Sequence, residues 1–134
     1  MTLGRGFMAT PHRRPLVGPL TVLVGATHVA ITPLVHPGWV TSIRAGGVIN
    51  AVDRDARERQ RRSVGFWYAT CGLALVGYGL AVAERERQPQ PVPAVHAAGL
   101  AGVGAFGAIL MPKSPFWVLL GLSGLSLWRR RAAG

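Results

Sequence analysis

Residues 63–83, SVGFWYATCGLALVGYGLAVA, contain no Asp, Glu, Lys or Arg, and the same holds for residues 15–43, 88–112 and 114–128. An apolar helix needs roughly 20 residues to cross a bilayer core about 30 Å thick. The three longer runs reach that length. The shortest reaches it if the arginines that follow extend their aliphatic stems towards the headgroups. The sequence therefore predicts four membrane-spanning helices, at about 16–35, 64–83, 94–111 and 115–130.

The overall composition favours a membrane location. Hydrophobic residues make up 49% of the 134 residues and charged residues 15%, against about 25% charged in soluble domains. Too few polar residues remain to cover four apolar helices with a wetted surface, which disfavours a soluble fold. A secretory signal is a second alternative, but the first apolar run continues to Val35 without a clear cleavage site.

We therefore expect an all-α fold, a four-transmembrane-helix bundle formed by one domain at 15–131. A mobile basic tail at 1–14 precedes it, and a short C-terminal tail at 132–134 follows it. The third helix is rich in glycine and alanine, and small residues let helices approach closely in lipid. Ser114 and Pro115 suit the N-cap and the first position of the fourth helix.

The longest connection, residues 37–62, lies between the first two predicted helices. Its first half is moderately apolar and suits a long loop or an interfacial helix, which Gly46 and Gly47 would break into two pieces. Its second half, DRDARERQRR at 53–62, places acids four residues before arginines, as in a solvated helix. The arginines form a predicted basic surface, either a solvated helix face or a docking site for lipid phosphate or a protein partner. They are Arg54, Arg57, Arg59, Arg61 and Arg62.

A Phe-Trp pair occurs at the beginning of both the second and the fourth predicted helix. These two helices run in the same direction, so both pairs enter the bilayer from one side, where a further tryptophan follows the first helix. Aromatic rings favour the membrane interface. We predict interfacial anchors, with a ligand-binding aromatic cluster as the alternative, at Trp39, Phe66, Trp67, Phe116 and Trp117.

His28 is the candidate functional residue, because it lies within the first predicted span, and an ionisable residue in a membrane is a functional hypothesis by default. The simpler interpretation is an imidazole that hydrogen-bonds to a neighbouring helix. A haem held by His28 and His96 is disfavoured, because the two differ in depth by roughly 15 Å at 1.5 Å per residue. The single cysteine, Cys71, forms no internal disulfide or two-cysteine metal site.

No Ser-His-Asp set, metal-ligand cluster or phosphate-binding glycine loop is evident in the sequence. We expect a non-enzymatic integral membrane protein without a cofactor, which acts through a protein or lipid partner. The alternative is a small transporter or membrane-enzyme accessory that uses His28 in a polar intramembrane cavity. A proton-coupled multidrug exporter of this size depends on an acidic residue in its first span, and residues 16–35 contain none.

The net charge of +10 favours contact with anionic lipid headgroups. No basic groove with interleaved aromatic residues indicates nucleic acid. The abundant glycines suit a homo-oligomer or another protein partner. In a four-span topology the side that carries both termini holds eight arginines, and the other side holds seven basic residues. We expect a multi-pass protein of the cell membrane with both termini in the cytoplasm, because basic clusters at 13–14 and 129–131 abut the membrane directly.

Five motifs carry a resemblance to a known family: GATH at 25–28, Trp39, GGVIN at 46–50, FWYATCG at 66–72 and MPKSPFW at 111–117. In these the chain resembles an uncharacterised domain-of-unknown-function family of small bacterial four-helix integral membrane proteins, over roughly residues 16–128. The resemblance implies a membrane location and four helices. It implies no activity and no functional residues.

Overall fold

A computed structural model describes residues 14–132 of the chain. Within those residues it contains α-helices and no β-strand, so the all-α prediction is confirmed. The helices are α1 (Val17–Val35), α2 (Trp39–Ala45), α3 (Ala51–Arg54), α4 (Arg59–Glu86), α5 (Ala94–Leu110) and α6 (Phe116–Arg131). Of the predicted tails at 1–14 and 132–134, residues 1–13 and 133–134 lie outside the described residues.

Each predicted span coincides with one helix, α1, α4, α5 or α6. Two of these, α1 and α4, are long and apolar enough to cross a membrane by length and composition. The other two are shorter, with 17 residues in α5 and 16 in α6. Membrane crossing by all four helices stays a prediction.

The chain divides into two compact units. The first, Val17–Ala81, contains α1, α2, α3 and most of α4. The described part of the second consists of residues 14–16 and 82–132, which include the end of α4, α5 and α6.

Glycines bring α1 and α4 into close contact in the first unit. A Cβ atom added at Gly25 would lie 2.7 Å from the carbonyl oxygen of Gly72 and 2.7 Å from the backbone nitrogen of Val76. At Gly79, an added Cβ would lie 2.6 Å from the backbone nitrogen of Val22. Backbone therefore meets backbone along this contact, and the space admits no side chain at the glycines.

Helices α1 and α4 run antiparallel, and the small residues along their contact recur every seven positions. On α4 they are Gly72 and Gly79, whereas Gly65, seven residues before Gly72, lies against the ring of Trp39. Seven residues are nearly two helical turns, so residues at that spacing lie on one face of a helix. In lipid, where apolar surface gains little by leaving the solvent, such close approach supplies much of the attraction between helices.

The connection from α1 to α4 forms two short helices, as the glycine pair predicts. Gly46 ends α2, and Gly47 has a left-handed φ of 85°. The predicted solvated helix at 53–62 forms only in part, because α3 ends at Arg54 and α4 begins at Arg59. Between them the Asp55 carboxylate accepts a hydrogen bond from the backbone N–H of Arg57 (2.9 Å). This local turn competes with a continuous helix.

In the second unit, α5 and α6 form a hairpin that is packed through small residues. A Cβ atom at Gly107 would overlap the ring of Phe116, and one at Gly104 would lie 3.0 Å from the backbone nitrogen of Leu120. The buried hydroxyl of Ser123 donates to the carbonyl of Ala97 (2.8 Å). The prediction that Ser114 caps α6 is wrong. Its hydroxyl instead donates back to the Met111 carbonyl (2.6 Å), and Pro115 takes the capping position.

We predict that Gly79→Ala lowers the free energy of unfolding in detergent micelles by about 1–3 kcal/mol, because its methyl group would strike the backbone of α1. Gly77→Ala is the matched control. It lies on the same helix with nothing within 4 Å of an added Cβ, so it should leave stability unchanged or raise it by up to about 1 kcal/mol through helix propensity. Equal effects of the two substitutions would contradict the close contact.

Candidate functional site

Three aromatic rings meet between α1 and α4. The imidazole of His28 stacks on the phenol ring of Tyr68, with centroids 3.8 Å apart and an interplanar angle of 12°. The imidazole of His36, just after α1, meets the same phenol edge-on at 5.0 Å and 71°. All three side chains are half-buried. We call His28, Tyr68 and His36 the ring cluster.

The glycine contact positions the ring cluster. Tyr68 follows Gly65 by three residues and precedes Gly72 by four, so it lies on the face of α4 that packs against α1. His28 follows Gly25 by three residues on the opposing face of α1. The sequence analysis found His28 but missed Tyr68, which it passed over as part of the FWY run. The seven-residue glycine spacing is the signal that could have found it.

The chemistry of the ring cluster is that of two imidazoles and one phenol, groups that donate and accept protons and hydrogen bonds. His28 contacts the neighbouring helix by stacking on Tyr68, where the simpler sequence-based interpretation expected a hydrogen bond. Across residues 14–132 no three His, Cys, Asp or Glu side chains come together in a way that could hold a metal ion. The cluster suits proton transfer or contact with a polar ligand.

The second polar site surrounds Arg62, whose side chain folds inward. Arg62 is 5% exposed. Its Nε donates to the Ser42 hydroxyl (2.7 Å), and its Nη1 donates to the Ala51 carbonyl (2.6 Å). The same hydroxyl donates to the carboxylate of Glu58 (2.9 Å). The assignment of Arg62 to a basic surface is therefore wrong, because its guanidinium ties α2 and α3 to the beginning of α4.

The remaining arginines of the predicted basic surface are exposed. Arg59 lies 3.8 Å from the Asp53 carboxylate, and Arg61 lies 3.5 Å from that of Glu58. Next to Arg61 is an open depression of about 450 Å³. It is lined by Gly38, Thr41, Ser42, Ala45, Glu58, Arg61 and Arg62. Because Glu58 shares this lining with two arginines, the depression has a mixed charge.

A third polar site, which the sequence did not predict, lies in the second unit. Only 6% of the Glu86 side chain is exposed. Its carboxylate accepts a hydrogen bond from the Leu16 backbone N–H (3.0 Å) and lies 3.9 Å from the Arg129 guanidinium. Arg129 also donates to the Arg14 carbonyl (2.6 Å). The ion pair joins the end of α6 to the end of α4. The two hydrogen bonds join these ends to the segment before α1.

The predicted aromatic anchors separate into two kinds. Trp67 and Trp117 are exposed, and the indole of Trp117 donates to the Pro112 carbonyl (2.9 Å). Phe66 is also exposed and meets Trp67 edge-on at 5.2 Å. Trp39 and Phe116 differ, since their rings lie against Gly65 and Gly107. These two rings therefore contribute to packing within the chain. Contact of the three exposed rings with headgroups stays a prediction.

Comparison with protein families shows which family the chain matches. The model of DUF6463, described as a family of unknown function, matches residues 12–133. No curated protein and no solved structure matches the chain.

We predict that Arg62→Gln lowers the free energy of unfolding by about 3 kcal/mol, because it removes two hydrogen bonds from a charged donor. Amide hydrogen exchange across residues 42–51 should also accelerate. Arg61→Gln is the control: Arg61 is exposed and its guanidinium lies 3.5 Å from the Glu58 carboxylate, so the change should stay below about 1 kcal/mol. Unchanged exchange in Arg62→Gln would contradict the structural role of this arginine.

Proposed function

Because the chain belongs to DUF6463, a family of unknown function, we propose a function from the structure itself: an integral membrane protein that acts through a lipid or protein partner and not through catalysis. Its four helices α1, α4, α5 and α6 cross the cell membrane, and both termini lie in the cytoplasm.

The observation that carries this proposal is the placement of large apolar side chains on the outside. Leu23 on α1 is 61% exposed and Ile109 on α5 is 79% exposed, whereas Thr21 is fully buried. The hydroxyls of the buried Thr21, Thr32 and Ser123 donate to helix carbonyls, as Thr21 does to Val17 (2.8 Å). A water-soluble fold buries its large apolar side chains, whereas a bilayer solvates them and requires internal partners for polar groups.

The small fraction of buried residues in the two longest apolar helices, α1 and α4, supports the same proposal. Within their most apolar windows, 28% of the residues of α1 and 22% of those of α4 are buried. Core helices of soluble proteins are apolar because they are enclosed on all sides. These helices are apolar and largely uncovered, which fits contact with lipid.

The lengths of α5 and α6 are compatible with thin spans. At 1.5 Å per residue each extends roughly 25 Å, slightly less than a bilayer core about 30 Å thick. Arg129, Arg130 and Arg131 occupy the last turn of α6. Their long side chains can reach the headgroups from within the apolar layer.

Action through a partner is supported by how the polar groups are used. The buried guanidinium of Arg62 and the buried carboxylate of Glu86 hold parts of the chain together. What the chain offers outwards is apolar helix surface and exposed arginines. Four outward glycines have nothing within 4 Å of an added Cβ and suit close approach by a second copy or another membrane helix: Gly77, Gly102, Gly121 and Gly124.

A second candidate function is a small transporter or membrane-enzyme accessory that uses the ring cluster. The favouring observation is the stack of His28 on Tyr68, with His36 at its edge. It places two titratable imidazoles around one phenol on facing helices. A polar ligand or a proton could pass between these groups.

Topology tests the first proposal. In a Cys71→Ala background, the variants Ala56→Cys and Lys113→Cys should react with a membrane-impermeant maleimide added to intact cells. Gln90→Cys should react only after the cells are permeabilised. If Lys113→Cys behaves like Gln90→Cys, α5 and α6 do not cross the bilayer, and the four-span proposal fails.

Native mass spectrometry in detergent tests the second candidate. If the ring cluster binds a ligand, a molecule that co-purifies with the wild-type chain should be lost from His28→Ala and retained by the control His96→Ala. His28→Phe keeps a ring for stacking on Tyr68 and separates loss of hydrogen bonding from loss of packing. The same bound molecules in all variants would remove the support for a functional His28.

A further inference from the structure

The loop between α2 and α3 has an unusual backbone. Gly47, Val48 and Asn50 all have left-handed φ angles, of 85°, 61° and 56°. A β-branched residue such as valine rarely adopts this conformation. We call residues 46–50 the loop tip.

Arg54, the last residue of α3, forms hydrogen bonds with the backbone of the loop tip. The guanidinium of Arg54 donates to the Gly46 carbonyl (3.0 Å) and to the Ile49 carbonyl (3.3 Å). The backbone N–H of Val48 donates to the Ile43 carbonyl (3.2 Å). The loop tip therefore satisfies backbone groups internally and keeps a defined shape without help from its apolar side chains.

Those side chains extend away from the chain. Val48 is 64% exposed and Ile49 is 81% exposed. Two exposed arginines in the same connection, Arg44 and Arg57, lie beyond ion-pair distance of every carboxylate among residues 14–132. The connection thus combines an apolar tip with uncompensated positive charge.

From this combination we propose that the loop tip inserts Val48 and Ile49 into the headgroup layer of a membrane that contains anionic lipid, with Arg44 and Arg57 on the lipid phosphates. This inference rests on the proposed membrane location of α1 and α4. Those helices tether both ends of the connection, which must then lie at the bilayer surface.

The chemistry of each part fits that layer. The headgroup region accepts apolar side chains at its acyl boundary and attracts arginine through the negative potential of anionic lipids. A watery environment would leave two large aliphatic side chains without contacts on a backbone that disfavours valine. A protein partner would need a surface with both apolar and acidic character.

The test uses the full chain in nanodiscs, where both faces of the bilayer are accessible. In a Cys71→Ala background, a polarity-sensitive fluorophore is attached in Ile49→Cys, in Ala56→Cys as an exposed control in the same connection, and in Leu23→Cys as a control for helix insertion. All three native residues are exposed, so the substitutions should leave the fold intact. The nanodiscs contain phosphatidylcholine with or without phosphatidylglycerol.

The expected result is quenching of the label at 49 by nitroxide lipids labelled at the headgroup, and about threefold weaker quenching by aqueous iodide than at 56. Phosphatidylglycerol should strengthen the lipid quenching, and Arg44→Gln combined with Arg57→Gln should remove that increase. Equal iodide quenching at 49 and 56 would overturn the inference. So would a label at 49 that is shielded from iodide but untouched by nitroxide lipids, because the tip would then be covered by protein.

The control at Leu23 separates the two proposals. If the label at 23 is quenched by acyl-chain nitroxides while the label at 49 remains open to iodide, only the loop-tip inference fails. If aqueous iodide quenches the label at 23, then α1 does not lie in the membrane, and the proposed membrane location is itself contradicted.

Discussion

The contact between the backbones of α1 and α4 is the constraint on which the rest of the first unit depends. Gly25, Gly72 and Gly79 let the two helices approach until backbone atoms of one meet those of the other. In lipid this approach replaces the hydrophobic effect as the source of helix association. It also sets the register that brings Tyr68 to His28, so the packing of the two helices determines which aromatic rings stack.

Several buried polar groups find hydrogen-bond partners within the chain, although the buried indole Nε1 of Trp39 has none among residues 14–132. Thr21, Thr32 and Ser123 donate to helix carbonyls, and Arg62 donates to a hydroxyl and a carbonyl. A buried donor without a partner costs about 1–3 kcal/mol, and more when it is charged. Charged side chains join separate segments within each unit: Arg54 and Arg62 in the first, and Glu86 and Arg129 in the second.

Charge spacing in the sequence predicted the positions of the long helices well, since each of them contains a long stretch without Asp, Glu, Lys or Arg. Each of the four charge-free runs overlaps one long helix, with α4 and α6 extending beyond their runs, and Gly46-Gly47 marks the end of α2. Contacts between elements were less predictable. The acid-arginine spacing suggested that Arg62 pairs with Glu58 on a wet face, whereas Arg62 turns inward to α2 and α3 and Glu58 reaches Ser42 and Arg61. Helical spacing identifies side chains that are neighbours on one helix. It does not predict contacts with groups of another segment, such as the Ser42 hydroxyl and the Ala51 carbonyl that Arg62 reaches.

The loop tip has an unfavourable backbone conformation at Val48, and this conformational free-energy cost bears on the role of the loop. A left-handed conformation costs a non-glycine residue roughly 1–2 kcal/mol, and glycine at position 48 would avoid that cost. The side chain of Val48 is largely exposed and therefore packs little against the rest of the protein. The hydrogen bonds from Arg54 hold the same backbone whatever residue stands there, because they reach the carbonyls of Gly46 and Ile49. These internal hydrogen bonds can offset the cost at Val48, and contact of its exposed side chain with surroundings outside the chain would offset more of it. An apolar layer next to phosphate groups supplies a contact for its side chain, and it lies where a connection between two membrane-spanning helices would reach it.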